Sequence, residues 1–228
     1  MKLSIIIPVF NEAADISAAL AALEPLRERG AEVIIVDGGS SDDTFALART
    51  FCDHAITSAR GRATQQNVGA QVATGDALLF LHIDTQLPDN VDALINAALI
   101  DDRNVWGRFD MKLGPNVLRA HSILNVIAAL MNFRSRVTGI ATGDQCIFVR
   151  KSVFDAVGGF PDIALMEDVA LSKVLKKIAA PVCLRERVVT SARRWQKHGI
   201  WRTIMLMWWL RLAFWMGVSP TRLAAWYR

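Results

Sequence analysis

The chain has 228 residues, 52% of apolar types and 21% charged. That fits one large domain, or a domain with an appendage, around a sizeable core, and it excludes a disordered or fibrous chain. The formal net charge of +4 hides an asymmetry: residues 1–184 carry 17 Lys/Arg against 21 Asp/Glu, whereas residues 185–228 carry nine basic residues and one acid, Glu186. Six of the seven tryptophans also lie in that tail, which therefore needs its own explanation. Three cysteines (Cys52, Cys146, Cys183) with no C-x-x-C exclude a disulfide framework and argue against a zinc ribbon; reduced thiols in the cytosol are expected. Lys2 followed by Leu3–Phe10 is interrupted by Pro8, Asn11 and Glu12, so no targeting segment is expected. The longest apolar stretch, Ile204–Leu210, is far below the ~20 residues of a spanning helix.

Leu3–Val9 is a continuous run rich in β-branched residues, which predicts a strand buried on both faces. Glu12–Arg29 has helical spacing at Ile16, Leu20, Leu23 and Leu26 and ends near Gly30. Val33–Val36 predicts a second strand. Asp42–Phe51 predicts a helix opening from Gly38-Gly39-Ser40-Ser41, with Ser41 or Asp42 as N-cap. His54–Ser58 is a weak strand, Gly61–Thr74 a helix, Ala77–Leu81 a strong apolar strand and Asn90–Ile100 a helix. Beyond residue 103 the alternation loosens. A strand is expected over Val105–Leu113, a helix over Leu118–Met131, a short strand over Cys146–Val149 and a helix over Glu167–Ile178. Val182–Leu184 and Val188–Thr190 read as edge pieces. Alternating strands and helices predict right-handed βαβ units, hence an α/β chain with an open, mostly parallel sheet flanked by helices.

In such a sheet ligands bind outside the carboxyl ends of the strands. Three strong strands end in polar groups: Pro8 to Glu12, Asp37 to Asp42, and His82-Ile83-Asp84-Thr85-Gln86. Glu12, Asp37, Asp42 and Asp84 are thereby placed on one rim. Neither G-x-G-x-x-G nor G-x-x-x-x-G-K-[ST] is present, which excludes a dinucleotide fingerprint and a P-loop. The turn carrying Gly39 and Ser41 leads into a helix N-terminus that can receive an anion, or merely caps the helix. His82, Asp84 and Gln86 form an i, i+2, i+4 row that, in extended chain, projects to one side. With a diphosphate supplying oxygens, that row suits Mg²⁺ or Mn²⁺, His82 leaning towards Mn²⁺; alternatively His82 caps the strand and Asp84 acts alone. Arg60-Gly61-Arg62 with Gln65, Gln66 and Asn67 suits a phosphate or a base edge, or is a solvated helix start. Glu167-Asp168 at a helix start reads either as a dipole complement or as a general base.

The ordered set I-I-I-P-V-F-N-E, V-D-G-G-S-S-D, H-I-D, M-E-D and R-R-W over residues 3–198 resembles family 2 glycosyltransferases, nucleotide-sugar-dependent enzymes of the GT-A fold. G-R-A-x-Q-x-N-x-G-A, L-H-I-D-T, W-G-R-F-D, T-G-D-Q and L-M-E-D are similar to a small bacterial subgroup described as radical-SAM/selenodomain-associated or arsenosugar-biosynthesis glycosyltransferases. The resemblance implies that Pro8, Phe10 and Glu12 border the nucleotide, that Asp37 bonds the base and that Arg62 lies near base or phosphate. It implies Asp84 as metal ligand on the donor diphosphate, and Gly143, Asp144 and Gln145 along the sugar and acceptor region. Asp168 would be the base with Glu167 beside it, and Arg194 and Trp195 would close over the diphosphate or acceptor. The family's D-x-D is H-x-D here, with His82 first, and its Q-x-x-R-W has Ser191 for Gln. Transfer of a single sugar, UDP-linked by default, with inversion is expected.

The resulting expectation is a domain over 1–199, with a nucleotide half to about 103 and an acceptor half beyond it, and a Trp/Arg-rich helical tail over 200–228. Trp with Arg on an apolar helix suits the headgroup boundary of an anionic bilayer; packing on the domain or in a homodimer is the alternative. The expected location is cytoplasmic, peripheral on the inner face of the plasma membrane if the tail binds there. Rival functions are a nucleotidyltransferase, against which Pro8–Glu12 offers no Gly-rich basic loop, and a nucleotide-binding or membrane-interaction module without turnover. Nucleic-acid binding is not expected, because the tail's arginines are interleaved with bulky apolar residues.

Overall fold

The computed structural model describes residues 1–114, 121–193 and 199–227. Its strands are β1 (Leu3–Val9), β2 (Glu32–Asp37), β3 (His54–Thr57), β4 (Ala77–Phe80), β5 (Thr85–Gln86), β6 (Trp106–Leu113), β7 (Phe148–Arg150) and β8 (Val182–Thr190). They form one sheet in the order β3-β2-β1-β4-β7-β6-β8-β5. The pairs β1–β2, β1–β4, β2–β3 and β6–β8 are parallel, whereas β4–β7, β6–β7 and β5–β8 are antiparallel. The helices are α1 (Ile16–Ala21), α2 (Glu24–Glu28), α3 (Thr44–Ala48), α4 (Arg62–Val72), α5 (Val91–Ala98), α6 (His121–Thr138), α7 (Lys151–Ala156), α8 (Glu167–Leu175), α9 (Ile200–Trp215) and α10 (Pro220–Tyr227).

The apolar run of β1 is continuous because both of its faces are covered. Leu3, Ile5, Ile7 and Val9 join the core under α1, α2 and α5, while Ile6 joins the opposite core with Ala63 and Ala70 of α4 and Leu171 of α8. Strand order reverses at β1, which lies between β2 and β4. A crevice at such a switch point opens at the carboxyl ends of the strands, here the segments after Val9 and Phe80.

The structure departs from the expected elements at several points: the helix expected to end at Met131 runs on to Thr138, the helix expected over Asp42–Phe51 is shortened to Thr44–Ala48 with Asp43 as N-cap, and Thr85–Gln86 forms a strand that was not expected. The helix expected over Glu12–Arg29 is split into α1 and α2; Pro25 lies at the start of α2 and has no N–H to continue the first helix. The two expected edge pieces are one nine-residue strand, β8, inside the sheet between β6 and β5. Its register jumps from Phe109↔Leu184 to Asp110↔Arg187, so exposed Arg185 and Glu186 bulge out and the apolar flanks stay paired. The short strand expected from Cys146 begins at Phe148, because Cys146 takes a left-handed conformation at φ 48°.

The tail is docked on the domain. Leu210 and Ala213 of α9 and Leu223 of α10 are buried against Met166 and Val169 at the start of α8. Gly217, at φ 85°, ends α9, and Pro220 opens α10 at the position where a missing N–H costs nothing. Among the described residues no helix is long and apolar enough to cross a membrane.

Candidate active site

A cavity of about 1070 Å³ opens at the switch point. Its floor is the segment after β1. Buried Gln65 on α4 fixes this floor, its Nε2 donating to the carbonyls of Val9 and Val36 at 2.9 and 2.8 Å, so the ends of β1 and β2 are tied together. Phe10 lies under Arg60, whose guanidinium carbon is 3.8 Å from the ring centroid, a cation–π distance. Asn11, at φ 53°, locks the next turn: its N–H donates to Ser40 Oγ and its side-chain oxygen accepts the Ser41 N–H.

One wall is acidic. Burial pushes the Glu12 carboxyl above its ordinary pKa; Arg193 opposes this, and Asp84, Asp15 and Asp42 reinforce it. The Arg193 guanidinium bonds Asp15 at 2.6 Å and stands 3.9 Å from Glu12 and 3.8 Å from Asp84. A cation thus already sits over the rim carboxylates, half exposed and in solvent-screened contact.

The far wall starts at Met166, held at φ 70° just before α8. Such strain in a non-glycine residue persists where the surroundings enforce it. It sets Glu167 and Asp168 in the first turn of the helix. Asp168 accepts the N–H groups of Gly143 and Val169 at 2.8 and 2.7 Å. Burial nevertheless pushes its carboxyl up, as it does that of Glu167, where the Asp168 charge adds to the rise. Arg62 answers this pair. Burial pulls its pKa down, but Glu167, Tyr227, Asp144 and Asp168 more than offset that and hold it charged. His82 packs on Gly143 and stands 3.5 Å from Asp144.

The remaining wall is apolar, formed by Leu130, Met131 and Phe133 of α6 and Ile204, Met207 and Trp208 of α9. Arg134 of α6 lines the same wall, with Nε and Nη2 enclosed and no hydrogen-bond partner among the described residues.

Of the residues singled out in the sequence, Pro8, Phe10, Glu12, Arg62, His82, Asp84, Gly143, Asp144, Glu167 and Asp168 line this one cavity. Others do not. Asp37 is spent on its own turn, accepting the N–H groups of Gly39 and Ser40 and the Ser40 hydroxyl, and is 2% exposed. Gly39 and Ser41 stand beside that turn, outside the cavity wall. The Asn67 amide is spent on Phe160, donating to its carbonyl and accepting its N–H. Gln145 is fully buried, its Oε1 accepting the Thr142 N–H and its Nε2 donating to Asn132. The expected His82, Asp84, Gln86 row is not formed. The Thr85 N–H donates to the His82 carbonyl, closing a turn where extended chain was expected, and Gln86 pairs with Val189 in β5, off the cavity. Arg194 and Trp195 lie outside the described residues. Sequence reasoning missed Arg134 and Arg193 as cavity residues; the doubled arginine before Trp195 was the only hint of the second.

A divalent ion fits this donor set only as a shared ligand. Among the described residues no three His, Cys, Asp or Glu side chains converge, so Asp84, with His82 near it, needs oxygens from a bound diphosphate.

Residues 4–158 match the family described as Glycosyl transferase family 2. A PGL/p-HBAD biosynthesis glycosyltransferase of Mycobacterium bovis is 37% identical over 168 residues, 69% of this chain and 62% of that protein. The chain thus spans under two thirds of the length of that curated relative. Two solved structures share the fold. A mannosyltransferase from Pyrobaculum calidifontis in complex with GDP-Man and Mn²⁺ superposes at TM-score 0.66 with 20% identity, covering 99% of this chain and 68% of that one. S. aureus TarS 1–349 in complex with UDP-GlcNAc superposes at 0.65 with 19% identity, covering 84% and 58%.

Proposed function

The chain belongs to glycosyl transferase family 2, with a GT-A type α/β fold, and we propose that it transfers a single sugar from a nucleoside-diphosphate sugar to an acceptor hydroxyl with inversion. The observation that carries this reading is the convergence, in one cavity, of the Asp84 rim, the cations Arg60 and Arg62, and the Glu167–Asp168 pair. A volume of about 1070 Å³ is at the upper end of ligand pockets, roughly 300–1,000 Å³, which leaves room for donor and acceptor together.

In this reading the nucleotide lies over Pro8 and Phe10, and Arg62 and Arg60 neutralise the diphosphate. Arg193 swings onto the donor, giving up its long contacts to Asp84 and Glu12 and its exposed, solvent-screened 2.6 Å bond to Asp15. Asp84 and His82 would hold a divalent ion, Mg²⁺ or Mn²⁺, which when bound stabilises charge on the leaving diphosphate. Asp168 takes the proton of the acceptor hydroxyl as that oxygen attacks the anomeric carbon from the face opposite the diphosphate. Its raised pKa makes it a stronger base than a solvated aspartate. The two backbone N–H groups on its oxygens hold the carboxylate in position. UDP-sugars are the first donors to test and GDP-mannose the second, given what the two structural neighbours hold. The exposed Trp and Arg of α9 and α10 support a peripheral place on an anionic membrane surface.

The test is nucleoside-diphosphate release and thermal stabilisation across UDP- and GDP-sugars with Mg²⁺ or Mn²⁺. A donor that stabilises the protein and is turned over only with an intact Asp168 is expected. Absence of stabilisation by every donor overturns the reading.

A further inference from the structure

We infer that the acceptor is a membrane-held amphiphile with an anionic headgroup, entering sideways between α6 and α9 and pairing with Arg134. This rests on the proposed transfer reaction and names its acceptor class.

Three observations carry it. First, α6 exposes a single apolar stripe: Ile123, Val126, Leu130, Phe133 and Val137 recur at intervals of three and four, and all are 46–68% exposed. Second, α9 exposes a matching stripe, Trp201, Met205, Trp208, Leu212 and Trp215, at the same intervals and 49–78% exposed. Each stripe runs about 21 Å at 1.5 Å per residue. A helix normally turns such a stripe inward, and paired exposed stripes mark a surface that something apolar covers. Third, the stripes run into the cavity, since Leu130, Phe133 and Trp208 belong both to them and to its apolar wall. The covering medium is therefore continuous with the acceptor half of the site.

Charge selects an anionic bilayer as that medium. Arg202, next to Trp201 in α9, and Arg222 of α10 are exposed, within a tail of nine basic residues and one acid. Tryptophan is the side chain suited to the headgroup boundary. Inside, Arg134 is the counterpart for the headgroup. The residue is half-buried; its enclosed Nε and Nη2 have no partner among the described residues, and enclosed N–H groups left without an acceptor are costly unless a ligand supplies one. Burial pulls its pKa down and Asp168 pulls it up, which places Arg134 in the electrostatic field of the proposed base.

The test uses the full chain and two readouts that involve no sugar transfer. In flotation with phosphatidylglycerol/phosphatidylcholine vesicles, wild type should bind and bind less as salt rises. The double variant Val126→Glu/Val137→Glu, outside the cavity, should lose at least tenfold in partitioning while donor-induced thermal stabilisation is unchanged. In calorimetry below micelle formation, dodecyl phosphate should bind at least tenfold more tightly than inorganic phosphate or dodecyl maltoside, and Arg134→Gln should abolish the preference over the maltoside. Unchanged flotation of the double variant, or a salt-stable dimer that hides the stripes and excludes vesicles, overturns the membrane inference. Equal binding of inorganic and dodecyl phosphate overturns the amphiphile. Failure here with intact donor turnover leaves the transferase standing; failed donor binding with intact flotation removes the transferase reading and the acceptor assignment with it, and leaves only the membrane-binding surface.

Discussion

Replacing Asp168 with Asn separates the chemistry of the site from its stability. The amide oxygen of Asn still accepts one of the two N–H groups that Asp168 accepts, from Gly143 and Val169, so the start of α8 keeps its shape at the loss of one charge-assisted hydrogen bond, worth about 1.5–3 kcal/mol. Opposing that loss is relief of an unfavourable charge. Burial raises the Asp168 pKa above its ordinary 3.8, so the ionised carboxylate is worse off folded than unfolded. A group raised in this way contributes stability below its unfolded pKa and loses it as pH rises through the folded pKa. Wild type therefore carries the penalty at pH 7 and the variant does not. Stability of the variant should fall less steeply as pH rises above about 4, and the Tm gap between variant and wild type should narrow towards pH 7. Turnover should drop by about 10²–10⁴, the scale of a lost general base, or about 2.7–5.4 kcal/mol of barrier. Donor affinity should change by less than about threefold, because the proposed nucleotide position, over Pro8 and Phe10, is on the opposite wall. The assay is nucleoside-diphosphate release beside a pH series of thermal melts. Near-normal turnover would refute the base assignment, and a steeper stability loss in the variant would refute the electrostatic reasoning.

Asp84→Ala should weaken donor binding at least tenfold in Mn²⁺ and by much less in excess chelator; equal affinities of wild type and variant under both conditions would remove Asp84 as a ligand. Fully buried Arg108 pairs with Asp110, which also bonds Arg136. Asp110→Asn leaves that buried guanidinium without its carboxylate and should cost about 3–5 kcal/mol in urea unfolding; a loss under 1 kcal/mol would contradict this. Gly143→Ala places a Cβ 2.6 Å from the His82 ring, whose side chain is only 12% exposed. It should cost about 1–3 kcal/mol of stability and reduce donor affinity; an unchanged Tm would show that the ring moves freely.

The parts of the fold readable in the sequence were those set by local pattern. β1, β2 and β4 are short apolar runs bounded by turn residues, and α4 lies between Gly61 and Gly75, so periodicity places them. The Pro25 break needed a proline to be weighed against an otherwise good helical period. The single strand β8 was hidden because its central Arg-Glu-Arg is polar, and only pairing with β6 across a register shift explains why it stays in the sheet. At the site, the order of strand ends put Glu12 and Asp84 on one rim, and both line the cavity, whereas Asp37 and Asp42 from the same argument do not; Asp168, on a helix start, was pointed to by the family resemblance alone. Asp37, Asn67 and Gln145 have the same polar chemistry but are consumed by internal hydrogen bonds, which no pattern along the chain reveals. Arg134 and Arg193 reach the cavity from far along the chain, so their roles are set by packing alone.

The most direct test of the central claim, that these strand ends form one sugar-nucleotide site, is isothermal calorimetry of purified protein with UDP- and GDP-sugars in Mn²⁺, repeated on Arg62→Gln. Saturable binding of at least one donor, weakened tenfold or more in the variant, is the predicted result. Heat-silent titrations with every donor, or binding indifferent to Arg62, would contradict it.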